Sequence, residues 1–319
     1  EDTMKIFDLH CDTIEALKNN NETFDNSITQ FTMKGQEKLD KAVQFLAVWV
    51  PDYLRGQEAV DFINGYYEYM KEAVGKIADK AALVEDMSDL DTILNERKWA
   101  FIRSIESGAA LGGKLENVDH FAKLNFKMMT LTWNGINELG SGSQSEMGLT
   151  DFGKAVVRRM EEVGMIVDCS HLNDAGFEDL LNCSAKPFVA SHSNLRALCS
   201  HSRNLRDDQF KEIVARGGLC GINVHSKFLS EPDDLGAGQK EQLLRLIDRM
   251  LELGGEDVIA WGMDLDGGVT CDPSIGTPYG GAAYGEYLVE HGISRKIVDK
   301  LSFDNAYRFF TRDQKRCNS

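Results

Sequence analysis

Eight short runs of apolar and β-branched residues, mostly separated by stretches with helical periodicity, constrain the fold of this chain most strongly. The runs lie at residues 5–10, 42–50, 100–106, 127–132, 165–170, 188–191, 219–224 and 258–263. Between them, residues 62–74, 153–163 and 239–253 place apolar side chains at the three-to-four spacing of an amphipathic helix. Alternating strands and helices favour a parallel sheet, and eight strands are enough to close a barrel. The sequence therefore predicts an α/β protein, with one (β/α)8 barrel domain over residues 1–319.

Four of these runs end in side chains that commonly bind metal ions. The candidate ligands are His10, Asp12, Glu106, His171 and His192. Side chains two positions apart on a strand share a face, so His10 and Asp12 can hold one ion while Cys11 points away. The carboxyl ends of barrel strands meet at one mouth, where Asp264 is also expected. Imidazole and carboxylate ligands favour zinc, and five ligands exceed the need of one tetrahedral ion, so we predict a two-metal site.

Two stretches rich in Gly and Ser, residues 140–148 and 267–285, are predicted to form mobile loops over this mouth. Solvated connectors without a functional role are the alternative for both stretches.

Composition excludes several classes of partner. The chain has 35 basic and 51 acidic residues, a net charge of −16, which disfavours nucleic acids and anionic lipid surfaces. Its seven cysteines show no CxxC pairing and are predicted to be buried free thiols, which fits a reducing, cytoplasmic location. Residues 1–5 do not resemble a signal peptide, residues 312–319 carry no lipid-anchor signal, and no membrane span is predicted. Secretion after removal of a signal peptide is the alternative.

Several ordered segments together resemble one protein family. They are residues 8–13 (DLHCDT), 131–132 (LT), 148–150 (GLT) with 152–153 (FG), 167–171 (VDCSH), 191–193 (SHS), 201–204 (HSRN), 217–218 (GG) and 262–267 (GMDLDG). Through nearly the whole chain these segments closely resemble the membrane dipeptidase family, also called renal dipeptidase, of the metal-dependent amidohydrolase superfamily.

The resemblance implies a barrel that hydrolyses dipeptides at two zinc ions per chain. It implies that His10 and Asp12 hold the first ion, that His171 and His192 hold the second, and that Glu106 bridges both. A hydroxide between the ions would attack the scissile carbonyl. The resemblance also implies a homodimer.

Two further residues receive roles from the resemblance. Asp264 would move a proton towards the leaving amine, and Arg203 would bind the terminal carboxylate of the substrate. By position alone, Asp266 is an alternative proton carrier and Arg196 an alternative carboxylate ligand.

One position departs from the family pattern. Many members continue Leu-Thr with a histidine that contacts the substrate, whereas this chain has Trp133. An indole can donate one hydrogen bond but cannot carry a proton, so the role of that histidine does not transfer. We expect Trp133 to wall the substrate pocket and Asn134 to supply a polar contact.

Three functions are compatible with these residues. The first is a zinc dipeptidase acting on L-Xaa-L-Xaa and L-Xaa-D-Xaa dipeptides. The second is another amidohydrolase, acting on lactams or N-acyl amino acids, which Trp133 keeps open. The third is a non-catalytic barrel that keeps its metal for stability, although a purely structural zinc site needs no proton carrier such as Asp264.

Overall fold

A computed structural model describes residues 4–231 and 238–312 of the 319-residue chain. Residues 1–3, Cys317 and nearly all of the polar segment 312–319 therefore lie outside the described residues. The six cysteines within the described ranges are all free thiols, and four of them are buried. No helix in residues 4–231 and 238–312 is long and apolar enough to cross a membrane.

A parallel eight-stranded barrel forms the centre of the fold, which confirms the predicted (β/α)8 architecture. The strands are β1 Met4–Cys11, β2 Leu39–Trp49, β3 Ala81–Leu83, β4 Trp99–Glu106, β5 Phe126–Thr130, β6 Ile166–Asp168, β7 Val189–Ala190, β8 Leu219–Ile222 and β9 Ile259–Trp261. The barrel runs β1-β2-β4-β5-β6-β7-β8-β9, and β9 pairs with β1 to close it. The short β3, which the sequence analysis missed, pairs with the beginning of β4 beside β5.

Helices connect the strands and cover the barrel. They are α1 Thr13–Asn20, α2 Gly56–Gly75, α3 Leu90–Asn95, α4 Glu116–Lys123, α5 Asp151–Val163, α6 Asp174–Cys183, α7 Asp207–Arg216, α8 Gln239–Glu252, α9 Pro278–Glu290, α10 Arg295–Asp299 and α11 Asn305–Thr311. The predicted helices at residues 62–74, 153–163 and 239–253 correspond to α2, α5 and α8.

The apolar interior of the barrel lies at the end opposite the candidate metal ligands. One buried cluster draws alternate residues from the long strands, among them Phe7, Phe45 and Ile102. Phe309 of α11 joins this cluster, and α11 contacts β1, β8 and β9. Because this end is filled with apolar side chains, only the carboxyl ends of the strands are free to carry polar chemistry.

The prediction of a loop over residues 267–285 is wrong for its second half, because residues 278–285 begin α9. Thr277 caps this helix by accepting a hydrogen bond from the Gly280 backbone, and Pro278 occupies the first turn, where proline is tolerated. A Cβ atom on Gly281 would lie 2.8 Å from the sulfur of Met263. The glycines therefore allow a close helix–barrel contact.

Candidate metal centre

Three of the candidate side chains lie around the imidazole of His10. Its Nε2 lies 3.6 Å from Asp12 Oδ2, 3.6 Å from Glu106 Oε2 and 3.7 Å from Asp264 Oδ1. Burial alone would lower the pKa of His10, but the Glu106 and Asp12 carboxylates raise it well above its ordinary value. His10 Nε2 is nevertheless buried without a hydrogen-bond partner in the described part of the chain.

The two later histidines meet on the other oxygen of Glu106. His171 Nε2 lies 2.7 Å from Glu106 Oε1, and His192 Nε2 lies 3.6 Å from the same oxygen. The two Nε2 atoms are 2.9 Å apart. Burial lowers the pKa of His171 to about 4 and, with the charge of His10, lowers that of His192 well below its ordinary value. Burial therefore favours the neutral form of both rings.

Hydrogen bonds fix which nitrogen of each neutral ring carries the proton. Asn134 Oδ1 lies 3.0 Å from His171 Nδ1, and because this oxygen can only accept, Nδ1 carries the proton. His192 Nδ1 lies 2.7 Å from the Ser191 hydroxyl, which donates its own proton to the buried carboxylate of Asp168. His192 Nδ1 must then donate to Ser191. Both Nε2 atoms are left as unprotonated lone pairs.

This arrangement of electron pairs fits a bound cation. His171 Nε2 lies within hydrogen-bond distance of both Glu106 Oε1 and His192 Nε2, and His192 Nε2 lies 3.6 Å from the same oxygen. Without a proton on either nitrogen, this close approach is unfavourable unless a positive charge lies between the groups. The separations of about 3.6 Å around His10 resemble those of ligand atoms that share a zinc ion at about 2.0–2.2 Å. Single ligand atoms of His10, Glu106 and His192, and separately of His10, Asp12 and Asp264, lie within 4.8 Å of one another. The donor set of imidazole and carboxylate groups suits zinc.

Asp264 is held at the edge of this cluster. Its Oδ2 accepts a hydrogen bond of 2.8 Å from Asn223 Nδ2, while Oδ1 faces His10. Burial raises the pKa of Asp264 to about 8, against the opposing charge of His10. Asp264 and His171 both have positive φ angles, 61° and 70°, a conformation that costs free energy for residues other than glycine and is often found at functional sites.

Asp266, the alternative proton carrier, and Arg196, the alternative carboxylate ligand, both form contacts outside the cluster. The Asp266 carboxylate accepts hydrogen bonds from the Thr13 hydroxyl and from the backbone of Gln30 and Phe31, so it anchors a loop. The Arg196 guanidinium pairs with both oxygens of Asp174, at 2.8 and 3.0 Å.

A cleft of about 590 Å³ opens onto the cluster, and Arg203 lines it. The Arg203 side chain is 8% exposed, and within the described ranges its guanidinium makes no hydrogen bond or ion pair with a protein acceptor. Burial lowers its pKa from the ordinary arginine value. A buried, unpaired guanidinium facing a cleft is suited to an anionic group of a ligand.

Trp133 and Asn134 also line the cleft, at its other side. The Trp133 ring lies 4.9 Å from that of Trp49, at an interplanar angle of 62°, and 6.2 Å from that of His171. The oxygen of Asn134 is engaged by His171, so in this structure its polar contact goes to a candidate metal ligand.

Sequence reasoning missed the residues that support the candidate ligands. Asn223, Ser191 and Asp168 orient Asp264 and His192, and Glu15 lines the cleft beside Trp49. Burial and the charge of Asp12 raise the pKa of Glu15 to about 8. The segments around residues 168 and 191 already contained these polar residues at strand ends, which was the available signal.

Comparison with known proteins decides the family. The model of the membrane dipeptidase family (peptidase family M19) matches residues 1–318. This chain belongs to the membrane dipeptidase family. An uncharacterised protein from the pqqA 5′ region of Klebsiella pneumoniae is 26% identical over 265 residues, 79% of this chain and 96% of that protein.

Solved structures of metallopeptidases share the fold of this membrane dipeptidase family member. The metallopeptidase dipeptidase AC superposes with a TM-score of 0.89 at 24% identity, covering 98% of this chain and 99% of that chain. A metallopeptidase from Rhodobacter sphaeroides, bound to a phosphinate mimic of L-Ala-D-Ala, gives a TM-score of 0.88 at 24% identity, with the same coverage. With the family match, the protein is a metallo-dipeptidase whose substrates are small peptides.

Proposed function

We propose that this enzyme is a zinc-dependent dipeptidase that hydrolyses free L-Xaa-L-Xaa and L-Xaa-D-Xaa dipeptides. The observation that carries the proposal is the convergence of the His171 and His192 Nε2 atoms on Glu106 Oε1. Acceptance of a D-residue at the second position is supported by the fold shared with the Rhodobacter sphaeroides metallopeptidase that holds an L-Ala-D-Ala mimic.

The two carboxylate oxygens of Glu106 face different histidines, which supports a shared ligand between two ions. His10 and Asp12 would hold one zinc ion beside Oε2, and His171 and His192 would hold the other beside Oε1. When bound, the two ions would lower the pKa of a water molecule and polarise the scissile carbonyl.

Arg203 and Asp264 supply the remaining groups of the proposed reaction. The unpaired guanidinium of Arg203 would bind the free carboxylate of the dipeptide, which restricts the enzyme to peptides with an unblocked carboxyl end. Asp264 would carry the proton from the attacking water to the leaving amine, and Asn223 holds its second oxygen in place. Trp133 walls the cleft, and Asn134 acts by orienting His171.

The proposal is tested by amine release from a panel of dipeptides. Protein stripped of metal should be inactive and should regain activity with zinc. Free L,L and L,D dipeptides should be cleaved, whereas the same peptides with an amidated carboxyl end should not. Cleavage of N-acyl amino acids or lactams, but not of dipeptides, would instead support the alternative amidohydrolase reaction that Trp133 suggests.

The role of Asp264 is tested by Asp264→Asn, which preserves an acceptor for Asn223. The variant should retain its zinc and lose about 10²- to 10⁴-fold in kcat, the usual contribution of a positioned acid or base. Unchanged turnover would support a binding protein without catalysis, and loss of zinc would make Asp264 a metal ligand.

A homodimer is the proposed assembly. Tyr53 and Ile136 are 85% and 55% exposed, and the loops that carry them are linked by a hydrogen bond from Arg55 to the Ile136 carbonyl oxygen. These two residues are the exposed apolar positions at which we propose that the second chain packs. Light scattering after size exclusion should give twice the chain mass, and a single chain mass would contradict the proposal.

A further inference from the structure

Glu15 is a buried carboxylate in the cleft, and the proposed reaction does not use it. It lies in α1, three residues after Asp12, with 9% of its surface exposed. Its Oε1 accepts a hydrogen bond from the backbone nitrogen of Trp49. Within residues 4–231 and 238–312 it forms no ion pair, and the nearby Lys18 ammonium lies 4.0 Å from the Tyr66 ring instead. One oxygen of Glu15 thus remains available to a cation in the cleft.

Two indole rings share the cleft with Glu15. Trp49 and Trp133 pack edge to face and both line the same cleft as Glu15. The indole face attracts cations, and the attraction is larger where water is partly excluded. A cleft lined by a carboxyl group and two indoles is therefore suited to a group with an aliphatic stem and a positive end.

Glu15 and the two indoles lie on a different part of the cleft from Arg203. Glu15 follows β1, Trp49 ends β2 and Trp133 follows β5, whereas Arg203 lies in the connection after β7. In the barrel β7 is three strands away from β1, so Glu15 and Arg203 belong to well-separated strand ends of the mouth that also carries the histidine and carboxylate cluster. A dipeptide held by its carboxylate at Arg203 would direct its amino-terminal residue towards Glu15.

We propose that Glu15, Trp49 and Trp133 form a subsite for a cationic side chain on the amino-terminal residue, so that the enzyme prefers dipeptides beginning with Lys or Arg. This inference rests on the proposed dipeptidase function.

Distance favours the side chain over the α-ammonium as the occupant. The α-ammonium nitrogen lies only about 2.5 Å from the scissile carbonyl carbon, because two covalent bonds separate them. It must stay beside the metal cluster. Residues three apart on a helix are about 5–6 Å from each other at Cβ, so Glu15 lies a further helical turn away from Asp12. A lysine or arginine side chain spans that additional distance. The net charge of −16 also favours the approach of cationic substrates.

The test compares substrates of similar size that differ in charge. The values of kcat/KM are measured for Lys-Ala, Arg-Ala, norleucine-Ala and Leu-Ala with zinc-loaded enzyme. Wild type should prefer the two cationic substrates. Burial and the charge of Asp12 raise the pKa of Glu15 to about 8, and a cation bound beside it would favour its ionised form. Glu15→Gln keeps an acceptor for the Trp49 backbone nitrogen and cannot ionise. It should lower kcat/KM about 10- to 100-fold for Lys-Ala and Arg-Ala, as expected for a partly buried charge-assisted hydrogen bond, and less than about 3-fold for the neutral pair.

The matched control is Glu58→Gln, which removes one negative charge from an exposed position in α2. It should leave all four values unchanged. Trp133→Ala should reduce the preference for cationic substrates in the same direction as Glu15→Gln.

Two kinetic results would overturn the subsite. One is an equal loss on all four substrates in Glu15→Gln, which would assign Glu15 to the α-ammonium or to structure. The other is a wild-type enzyme without preference for cationic substrates. If wild type cleaves none of the four, the dipeptidase function fails, and calorimetric titration of metal-free protein still tests Glu15. Weaker binding of Lys-Ala, but not of norleucine-Ala, to Glu15→Gln would support the subsite, and equal binding would overturn it.

Discussion

Replacement of Asn134 by alanine should weaken zinc binding even though Asn134 is not a metal ligand. In the structure its amide oxygen accepts a hydrogen bond of 3.0 Å from His171 Nδ1, which holds the ring so that Nε2 faces Glu106. A neutral hydrogen bond contributes about 0.5–1.5 kcal/mol, which corresponds to about 2- to 13-fold in affinity. Loss of the ring orientation weakens zinc binding further. Removal of a residue that hydrogen-bonds to a metal ligand typically lowers metal affinity about 10- to 100-fold. We expect about a 10-fold loss for the more weakly bound zinc ion.

The assay is competition for zinc against a chromophoric chelator, with kcat and KM measured separately at saturating zinc. Asn134→Asp should bind zinc more tightly than Asn134→Ala, because a carboxylate makes the His171 ring a stronger ligand. Asn19→Ala is the matched control, since Asn19 lines the same cleft and is not hydrogen-bonded to a histidine among the described residues. A variant Asn134→Ala with unchanged zinc affinity but a raised KM would refute this reasoning and assign Asn134 to the substrate.

Three further predictions follow from other contacts. Arg203→Met should lower kcat/KM for free dipeptides about 10- to 100-fold. Its melting temperature should be no lower than that of wild type, because the buried guanidinium has no protein acceptor in the described part of the chain. Glu106→Gln should lower zinc content at both positions, measured by mass spectrometry of metals, since its two oxygens face different histidines. Hydrogen bonding to Arg196 lowers the pKa of Asp174 to about 2. Because the folded pKa is below the ordinary value near 4, Asp174 should stabilise the fold above that pH and lose this contribution as pH falls towards 2. Asp174→Asn should lower the free energy of unfolding, measured with a chemical denaturant, by about 1 kcal/mol at pH 7 and by less at pH 3. The value is discounted because Asp174 is partly exposed.

The barrel and the meeting of the candidate ligands could be predicted because both depend on local patterns. Strand β4 is buried along its whole length, and its apolar run ends at Glu106 in the sequence and in the structure alike. His171 and His192 follow β6 and β7 by only a few residues, so errors in the strand ends did not move them from the mouth. Parallel strands bring such ends together whatever their separation along the chain.

The second half of the loop predicted over residues 267–285 was wrong because composition was given too much weight. Three glycines in α9 lower its intrinsic helix propensity, and the stretch therefore resembles a loop. In the folded chain Gly280, Gly281 and Gly285 each lie where a Cβ atom would collide with a neighbour, so packing rather than propensity determines this helix. The sequence Thr277-Pro278 was a helix-start signal that could have corrected the prediction.

The partners of the ligands could not be predicted, because hydrogen bonds between side chains depend on the final three-dimensional placement. Asn223 lies 41 residues before Asp264, and Asn134 lies 37 residues before His171. No periodicity relates such residues. The same is true of Glu15, whose contact with the Trp49 backbone forms only when α1 packs at the end of β2.

Titration of zinc into metal-free enzyme, with hydrolysis of a free dipeptide measured after each addition, tests the dinuclear centre most directly. If Glu106 joins two zinc sites, activity should rise to a plateau at two equivalents of zinc per chain, and the stoichiometry from metal analysis should agree. A plateau at one equivalent, or full activity in the metal-free protein, would contradict the proposed centre.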